Sequence, residues 1–201
     1  MIPRPAAGDP AHTAAMPHTT IMLASTIVGP AGSPAAEPAD RPEAALAAPS
    51  RPIRIGLVGS SGGHLAQLMA LRPLWEKYPR FWVTFPTEDA RYLLAGERVY
   101  WCHHPTNRNA KNLIRNTGLA LRVVRKERPT HLISTGAAVA VPFFYVGRVA
   151  GARLVFIETF DRIDTPTLTG RIVHPITQHV LVQGPEQLAL YGRAENVGPL
   201  L

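Results

Sequence analysis

The sequence predicts an α/β domain with a doubly wound parallel sheet, preceded by a tail that does not fold on its own. Two observations predict this architecture. From Ile53 onward, short β-branched or aromatic runs alternate with helical patterns, which is typical of βαβ units. Residues 1–52 instead contain 14 alanines and 10 of the chain's 20 prolines, and they lack any helical or alternating apolar period. We therefore expect a disordered tail over residues 1–52 and one domain over residues 53–201.

Six strands and five helices alternate along the predicted domain, with prolines marking many of their ends. The strands are expected at Ile53–Val58, Phe81–Phe85, Arg98–Trp101, His131–Ser134, Arg153–Ile157 and Val180–Val182. The helices are expected at Leu65–Glu76, Glu88–Ala95, Ala110–Glu127, Val139–Ala150 and Glu186–Tyr191. Right-handed crossovers between such strands place a ligand crevice at their carboxyl ends, near the point where the strand order reverses.

The run Leu132–Gly147 carries no charged residue, and at 16 residues it is shorter than the roughly 20 that a membrane-spanning helix needs. It predicts a buried strand followed by a buried helix, with a re-entrant membrane element as the alternative. The tail's apolar stretch Ile21–Val28 is also too short to span a bilayer and is a poor match to a signal peptide.

The cysteine and charge content further limits the kinds of site and partner that the protein can have. A single cysteine excludes an internal disulfide and a cysteine-based zinc site, and we expect a cytosolic protein. Residues 53–201 carry 18 basic and 10 acidic side chains, which favours an anionic partner such as nucleic acid, acidic lipid or a phosphate-bearing substrate. Nucleic acid is the weakest of these, because no RNP, helix-turn-helix or zinc-finger pattern is present.

A glycine-rich loop, Gly59–Leu65, connects the first predicted strand to a helix. The backbone N–H groups of Ser61, Gly62 and Gly63 at such a helix start can bind phosphate or diphosphate. His64 follows Gly63 in this loop. It is a candidate general base or a candidate hydrogen-bond donor to phosphate. The loop does not match the dinucleotide fingerprint, which would need glycine at Ser61 and His64, and it lacks the lysine of a P-loop. The alternatives are an ordinary tight turn and a surface histidine.

Two more segments follow strands on the same predicted edge. In Ser134–Ala138, Thr135 and Gly136 can meet the same ligand, although these residue types also cap helices. Glu158 ends the fifth strand, where its carboxylate could orient the histidine or act as a base. It could instead cap a turn or pair with Arg162.

A basic face is predicted on the Ala110–Glu127 helix, with Leu113, Ile114, Leu121 and Val124 on other faces. Such a helix can contact an anionic membrane surface, and a plain solvated face is the alternative. The candidate membrane-contact residues are Arg108, Lys111, Arg115, Arg122 and Lys126.

The motifs together resemble one family in one order over residues 53–201. That family is the asparagine-linked glycosylation protein fourteen family, the acceptor-side, membrane-associated subunit of a two-part UDP-sugar glycosyltransferase, with bacterial counterparts in exopolysaccharide or capsule assembly. The matching segments are Gly59–Leu65, Asn107–Lys111, Pro129, Ile133–Pro142, Ile157–Thr159, Leu168–Gly170, Val182–Gln183 and Val197–Leu201.

The resemblance implies a single Rossmann-like lobe, the N-terminal, acceptor-binding half of a GT-B glycosyltransferase, with a separate small subunit supplying the donor-binding half. It implies an inverting enzyme, active only with that partner, that adds a sugar from a UDP donor to a polyprenyl-diphosphate-linked saccharide. The chain would bind peripherally at the cytoplasmic face of the membrane. No cofactor or metal is expected, and His64 and Glu158 are the catalytic candidates.

The sequence differs from the family pattern in two ways, and it leaves two alternative functions open. Residues 1–52 carry no transmembrane anchor of the kind that the eukaryotic subunit has, and Gln67 stands where many relatives place an acid. One alternative function is a non-catalytic membrane scaffold that recruits the donor-binding catalytic subunit. The other is a nucleotide-binding module of the oxidoreductase type, which the broken fingerprint argues against.

Overall fold

The computed structural model describes residues 51–106 and 109–201. The expectations for residues 1–50 and for Arg108 lie outside these described residues. Seven strands form one sheet: β1 (Ile55–Val58), β2 (Arg80–Thr84), β3 (Val99–Trp101), β4 (His131–Ser134), β5 (Arg153–Ile157), β6 (His179–Val182) and β7 (Ala194–Asn196). The helices are α1 (Gly63–Ala70), α2 (Arg72–Trp75), α3 (Glu88–Leu93), α4 (Ala110–Glu127), α5 (Ala140–Val149) and α6 (Leu168–Val173), with 3₁₀ turns at His174–Ile176 and Pro185–Leu190.

All neighbouring strands pair in parallel, in the order β3-β2-β1-β4-β5-β6-β7. The order reverses at β1, whose Val58 pairs with Val83 of β2 on one side and with Ser134 of β4 on the other. In a doubly wound sheet the ligand crevice lies outside the carboxyl ends of the strands at this switch point. The predicted fold class, a Rossmann-like doubly wound parallel sheet, is confirmed.

Both faces of the sheet are covered, which explains why the strands are continuous apolar runs rather than alternating patterns. On one face, Phe81 and Phe156 pack with residues of α4 and α5 such as Val123 and Phe143. On the other face, Trp82 packs with residues of α1 and α2, and its ring meets that of Trp75 edge-on at 5.2 Å. Because both layers are apolar, polar groups near the sheet gather at the strand ends.

The uncharged run Leu132–Gly147 is a buried strand and helix, as predicted. Gly147 lies so close to Leu132 that a Cβ would overlap that side chain, so α5 packs directly on β4. Within residues 51–106 and 109–201, we find no helix with the length and apolar character needed to cross a bilayer.

Four elements differ from the sequence predictions. The expected helix Leu65–Glu76 is divided into α1 and α2 at Leu71, since Pro73 begins a new helical turn. Helix α6 and strand β7 were not predicted because they have six and three residues, too few to show a period. The final predicted helix is a 3₁₀ segment, Pro185–Leu190.

Candidate functional site

Loops that follow β1, β4 and β5 meet at the carboxyl edge of the sheet. A cleft of about 330 Å³ opens there between the start of α1 and the segment after β5. It is lined by Gly63, His64, Gln67, Thr159, Phe160 and Asp161. The predicted convergence of the glycine loop with the later strand ends is therefore present at this edge.

His64 is held by a reciprocal pair of hydrogen bonds to Thr135. Its ring Nδ1 lies 2.8 Å from the carbonyl oxygen of Thr135, and the Thr135 hydroxyl donates to the carbonyl oxygen of His64 at 2.9 Å. Because a carbonyl only accepts, Nδ1 must carry the proton. Nε2 then carries the lone pair in the neutral ring, and it makes no hydrogen bond to any described residue. An imidazole in this state can accept a proton from a ligand.

Gly136 provides the space for this ring. A Cβ at Gly136 would lie 2.8 Å from Cε1 and 3.2 Å from Nδ1 of His64, and the backbone φ of +123° is one that side chains rarely adopt. The predicted substrate-binding residues Thr135 and Gly136 therefore contact His64 and fix its orientation. Both are buried and neither lines the cleft, so their role in substrate binding stays a prediction.

Burial lowers the pKa of His64 below its usual 6.5, because a charged imidazolium loses solvation in the cleft wall. The hydrogen bond to Thr135 and the negative charges of Asp161 and Glu158 act in the opposite direction, and burial is the larger effect. The lowered pKa favours the neutral ring, which is the state a general base needs.

The glycine loop adopts a conformation that favours glycine at Gly62, whose φ is +69°. Gly62 and Gly63 are both exposed, and a Cβ at either would meet no atom within 4 Å. Helix α1 begins at Gly63 and receives no side-chain cap. Its first N–H groups thus point toward an open surface. Ser61, also predicted to bind substrate, lies half-buried beside them.

An anionic group already binds one amide of this loop. The N–H of Gly62 donates to Oδ2 of Asp89, an exposed residue in α3, at 3.1 Å. The pKa of Asp89 is held below its usual value by the side chain of Thr87 and, next in size, by the Gly62 N–H. The Asp89 carboxylate therefore binds one of the N–H groups that the sequence predicted would bind phosphate.

Glu158 is fully buried and does not line the cleft. Its carboxylate accepts hydrogen bonds from the N–H groups of Thr159 and Thr167, both at 3.0 Å, and from the hydroxyls of Thr167 and Tyr191. Its carbonyl oxygen accepts from Nε2 of Gln183 at 2.9 Å. These contacts fasten the loop after β5 to the rest of the lobe. The catalytic role of Glu158 stays a prediction, and its hydrogen bonds favour a supporting role.

The predicted basic face of α4 is exposed at Lys111, Arg115, Arg122 and Lys126. Three of the four apolar residues that were expected on other faces of this helix are exposed as well. Leu113, Ile114 and Leu121 are 46%, 73% and 57% exposed, and of the four named only Val124 is buried. The helix therefore presents apolar and basic side chains to solvent together.

Two buried amides, Asn112 and Asn116, occupy part of the inner face of α4. Asn116 is buried and uses its side chain to bind both the N–H and the carbonyl oxygen of His103, at 2.8 and 2.9 Å. Asn112 likewise donates to the carbonyl oxygen of Pro105 at 2.9 Å. Beside α4, an apolar groove of about 990 Å³ runs to Val149 of α5, which is 91% exposed.

Gln67 and Asp161 line the cleft but were not predicted as site residues. Asp161 could have been found from its place four residues after the end of β5. The burial of Gln67 follows from its position on α1 against the sheet and has no signal in the sequence. Among the described residues no three His, Cys, Asp or Glu side chains gather in a way that could hold a metal ion.

The fold and this site together define a single Rossmann-like lobe of the N-terminal GT-B type. Two solved structures are similar to it. MurG of Acinetobacter baumannii matches with a TM-score of 0.58 and 16% identity, over 72% of this chain and 45% of MurG. A UDP-N-acetylglucosamine 2-epimerase of Rickettsia bellii matches with a TM-score of 0.59 and 12% identity, over 75% of this chain and 46% of that protein. At these identities the likeness concerns the fold.

The family model described as "Oligosaccharide biosynthesis protein Alg14 like" matches residues 99–200, half of the chain, so the protein belongs to the Alg14-like family. A curated relative, the UDP-N-acetylglucosamine transferase subunit ALG14 of Yarrowia lipolytica, is 28% identical over 89 residues, which is 41% of each protein. The chain thus spans less than half the length of these relatives. The matched residues include Thr135, Gly136 and Glu158 and begin after the glycine loop.

Proposed function

We propose that this chain is the acceptor-binding lobe of a two-component glycosyltransferase in polysaccharide biosynthesis, of the exopolysaccharide or capsule type. The enzyme moves a sugar from a UDP donor to a polyprenyl-diphosphate-linked saccharide. One observation carries the proposal: His64 lines the cleft with its Nδ1 fixed by Thr135 and its Nε2 uncommitted beside the glycine loop, and burial lowers its pKa. Membership of the Alg14-like family supports the reaction class.

His64 acts as the general base in this reaction. The acceptor hydroxyl attacks the anomeric carbon from the face opposite UDP, so the new C–O bond forms as the bond to the UDP oxygen breaks. Nε2 of His64 takes the hydroxyl proton, and UDP leaves with the bonding electron pair. The anomeric configuration inverts. A positioned base contributes typically 10²- to 10⁴-fold to such a step.

The glycine loop binds the diphosphate of the lipid-linked acceptor or of the UDP product. Backbone N–H groups at the start of α1 and the positive end of the helix dipole stabilise such a dianion. The bond from Gly62 to Asp89 supports this role, because it demonstrates that a negatively charged oxygen fits the loop. The diphosphate would have to displace this carboxylate.

A separate donor-binding subunit completes the active site. The described residues form one sheet and one lobe, and they align with 45% and 46% of the two similar structures. The curated relative is itself named a subunit. We infer that the UDP-sugar is held mainly by the partner and that the reaction takes place where the two lobes meet.

Peripheral contact with the cytoplasmic face of the membrane is made through α4. Ile114 and Leu121 can enter the acyl boundary, while Arg115, Arg122 and Lys126 meet anionic headgroups. Each basic residue near an anionic leaflet contributes about 1 kcal/mol. This contact would bring the lobe to its lipid-linked acceptor.

The membrane contact is tested by co-sedimentation of the full chain with vesicles that contain phosphatidylglycerol. The double variant Arg115→Glu/Arg122→Glu should partition at least about thirtyfold more weakly, from about 1 kcal/mol per lost basic residue. The matched control, Arg171→Glu/Arg193→Glu, makes the same charge change on other exposed arginines and should bind as the wild type does. Equal loss in both variants would indicate that net charge alone, and not α4, attracts the membrane.

The two-subunit reaction is tested by measuring UDP release by the full chain with and without the donor subunit. Donors are UDP-glucose and UDP-N-acetylglucosamine, and acceptors are polyprenyl-diphosphate-linked glucose and N-acetylglucosamine. We expect turnover from the complex only. Full turnover by the isolated chain would overturn the two-subunit proposal. Unchanged turnover of the complex carrying His64→Gln would support the scaffold alternative instead.

A further inference from the structure

Gln67 is a buried amide in the wall of the cleft. It lies three residues after His64 on α1, and residues at this spacing share a helix face. The residue is 3% exposed. Its side-chain Oε1 is shielded from solvent and has no hydrogen-bond partner among residues 51–106 and 109–201.

An unpaired amide oxygen in this position is costly. Leaving a buried acceptor without a donor costs about 1–3 kcal/mol, and folded proteins leave few such groups. An apolar side chain of similar length, such as methionine, would fill the same space without that cost. We therefore expect a hydrogen-bond donor from outside the chain to bind the amide oxygen of Gln67.

The side chains around the cleft supply no donor to Gln67. Nδ1 of His64 is used by Thr135, and the N–H and hydroxyl of Thr159 point to the carboxylate of Glu158. Asp161 carries a carboxylate, and the Phe160 side chain has no polar atom. Because no described residue donates to Gln67 Oε1, a molecule that enters the cleft can supply that donor.

We propose that the Gln67 amide binds the saccharide part of the acceptor, with Oε1 accepting a hydrogen bond from a sugar hydroxyl or amide next to the reacting hydroxyl. An ionised phosphate has no proton to donate, so it cannot satisfy this oxygen. The sugar therefore lies at Gln67 and His64, and the diphosphate lies toward Gly62. This assignment rests on the proposed function and adds a specificity-determining residue to it.

The first test measures stability and does not depend on activity. Gln67→Met removes an unpaired group, so the full chain should unfold at the same or a higher temperature than the wild type. The matched control is Gln187→Met. Gln187 is 1% exposed, but its amide binds the N–H of Gln183 at 2.8 Å and the carbonyl oxygens of Thr159 and Arg162 at 2.7 and 2.9 Å. This control should lower the melting temperature by several degrees.

The second test uses ¹⁵N NMR of the full chain with free glucose, free N-acetylglucosamine and inorganic pyrophosphate as separate probes. At least one sugar should shift the side-chain amide resonances of Gln67. In Gln67→Met, binding is followed by the His64 ring signals, and the apparent Kd for that sugar should be about tenfold higher than in the wild type. Pyrophosphate should shift the backbone amides of Gly62 and Gly63 and leave the Gln67 side chain unmoved.

Three results would overturn the assignment. They are destabilisation by Gln67→Met equal to that of Gln187→Met, a Gln67 response to pyrophosphate and not to sugar, and sugar affinity unchanged in Gln67→Met. Failure of the proposed function looks different. In that case the complex releases no UDP, while the stability comparison still reports whether the Gln67 amide is unpaired.

Discussion

His64 and Glu158 both follow strands at the carboxyl edge of the sheet, and their environments are opposite. His64 uses one ring nitrogen for a hydrogen bond to Thr135 and leaves the other uncommitted at a cleft. Glu158 is fully buried, and its two carboxylate oxygens accept hydrogen bonds from Thr159, Thr167 and Tyr191. A strand-end position thus determines which part of the molecule a side chain occupies, whereas its hydrogen bonds determine whether it can react.

Replacing His64 should have the largest effect, and that effect is on catalysis. The variant His64→Gln should lower kcat of the complex with the donor subunit by 10²- to 10⁴-fold, because it removes the proton acceptor. Its melting temperature should stay near that of the wild type, since Gln can still donate to the Thr135 carbonyl. Turnover within threefold of the wild type would contradict the assignment of His64 as the base.

Glu158→Ala should act mainly on stability. The change leaves the Tyr191 hydroxyl and the Thr159 and Thr167 N–H groups without their buried acceptor, so we expect a loss of about 2–4 kcal/mol in the free energy of unfolding. Urea denaturation measures this loss. Tyr191→Phe removes a single donor from the same carboxylate and should cost about 1–3 kcal/mol.

A catalytic Glu158 would give the reverse pattern. Turnover would then fall by a hundredfold or more in the folded Glu158→Ala protein, with the unfolding midpoint in urea hardly changed. That outcome would restore Glu158 to the site as a base and make its hydrogen bonds secondary.

Gly136→Ala should displace the ring of His64 while the histidine itself is unchanged. A Cβ there meets the imidazole at 2.8 Å in an unfavourable backbone conformation, so we expect a loss of about 1–3 kcal/mol in stability and displaced His64 ring signals in NMR spectra. Gly118→Ala is the control. Gly118 lies in α4 with open space around it, and alanine there should stabilise the protein by about 0.5–1 kcal/mol. Unmoved His64 signals in Gly136→Ala would show that the glycine does not position the ring.

Asp161→Asn should have the smallest effect. Asp161 is exposed, and its negative charge raises the pKa of His64 against the larger effect of burial. Removing the charge should lower the pKa of His64 slightly further, as followed by NMR titration of the imidazole. A rise in that pKa would mean that Asp161 does not face the ring.

Much of the fold follows from the sequence because the central strands are buried apolar runs between clear turn signals. The convergence of the glycine loop with Thr135 and Gly136 also follows from it, since β1 and β4 are neighbours at the switch point. These predictions needed only local patterns and the rules for parallel sheets.

The remaining features depend on partners far away in the sequence. Glu158 is buried because Tyr191, 33 residues later, returns to its carboxylate. The inner face of α4 carries Asn116 because that amide pairs with the backbone of His103. No local pattern indicates either contact, so strand-end position alone could not reveal that Glu158 is fully buried, and helical periodicity could not reveal the partner of Asn116.

The pH dependence of kcat/KM for the complex tests whether His64 is the base and whether burial lowers its pKa. A base works only when unprotonated, and the pKa of His64 lies below 6.5. The acidic limb of the profile should therefore have its midpoint below pH 6.5. That acidic limb should be absent from the residual activity of His64→Gln. An acidic limb with its midpoint above 6.5, or one that persists unchanged in the variant, would contradict the account.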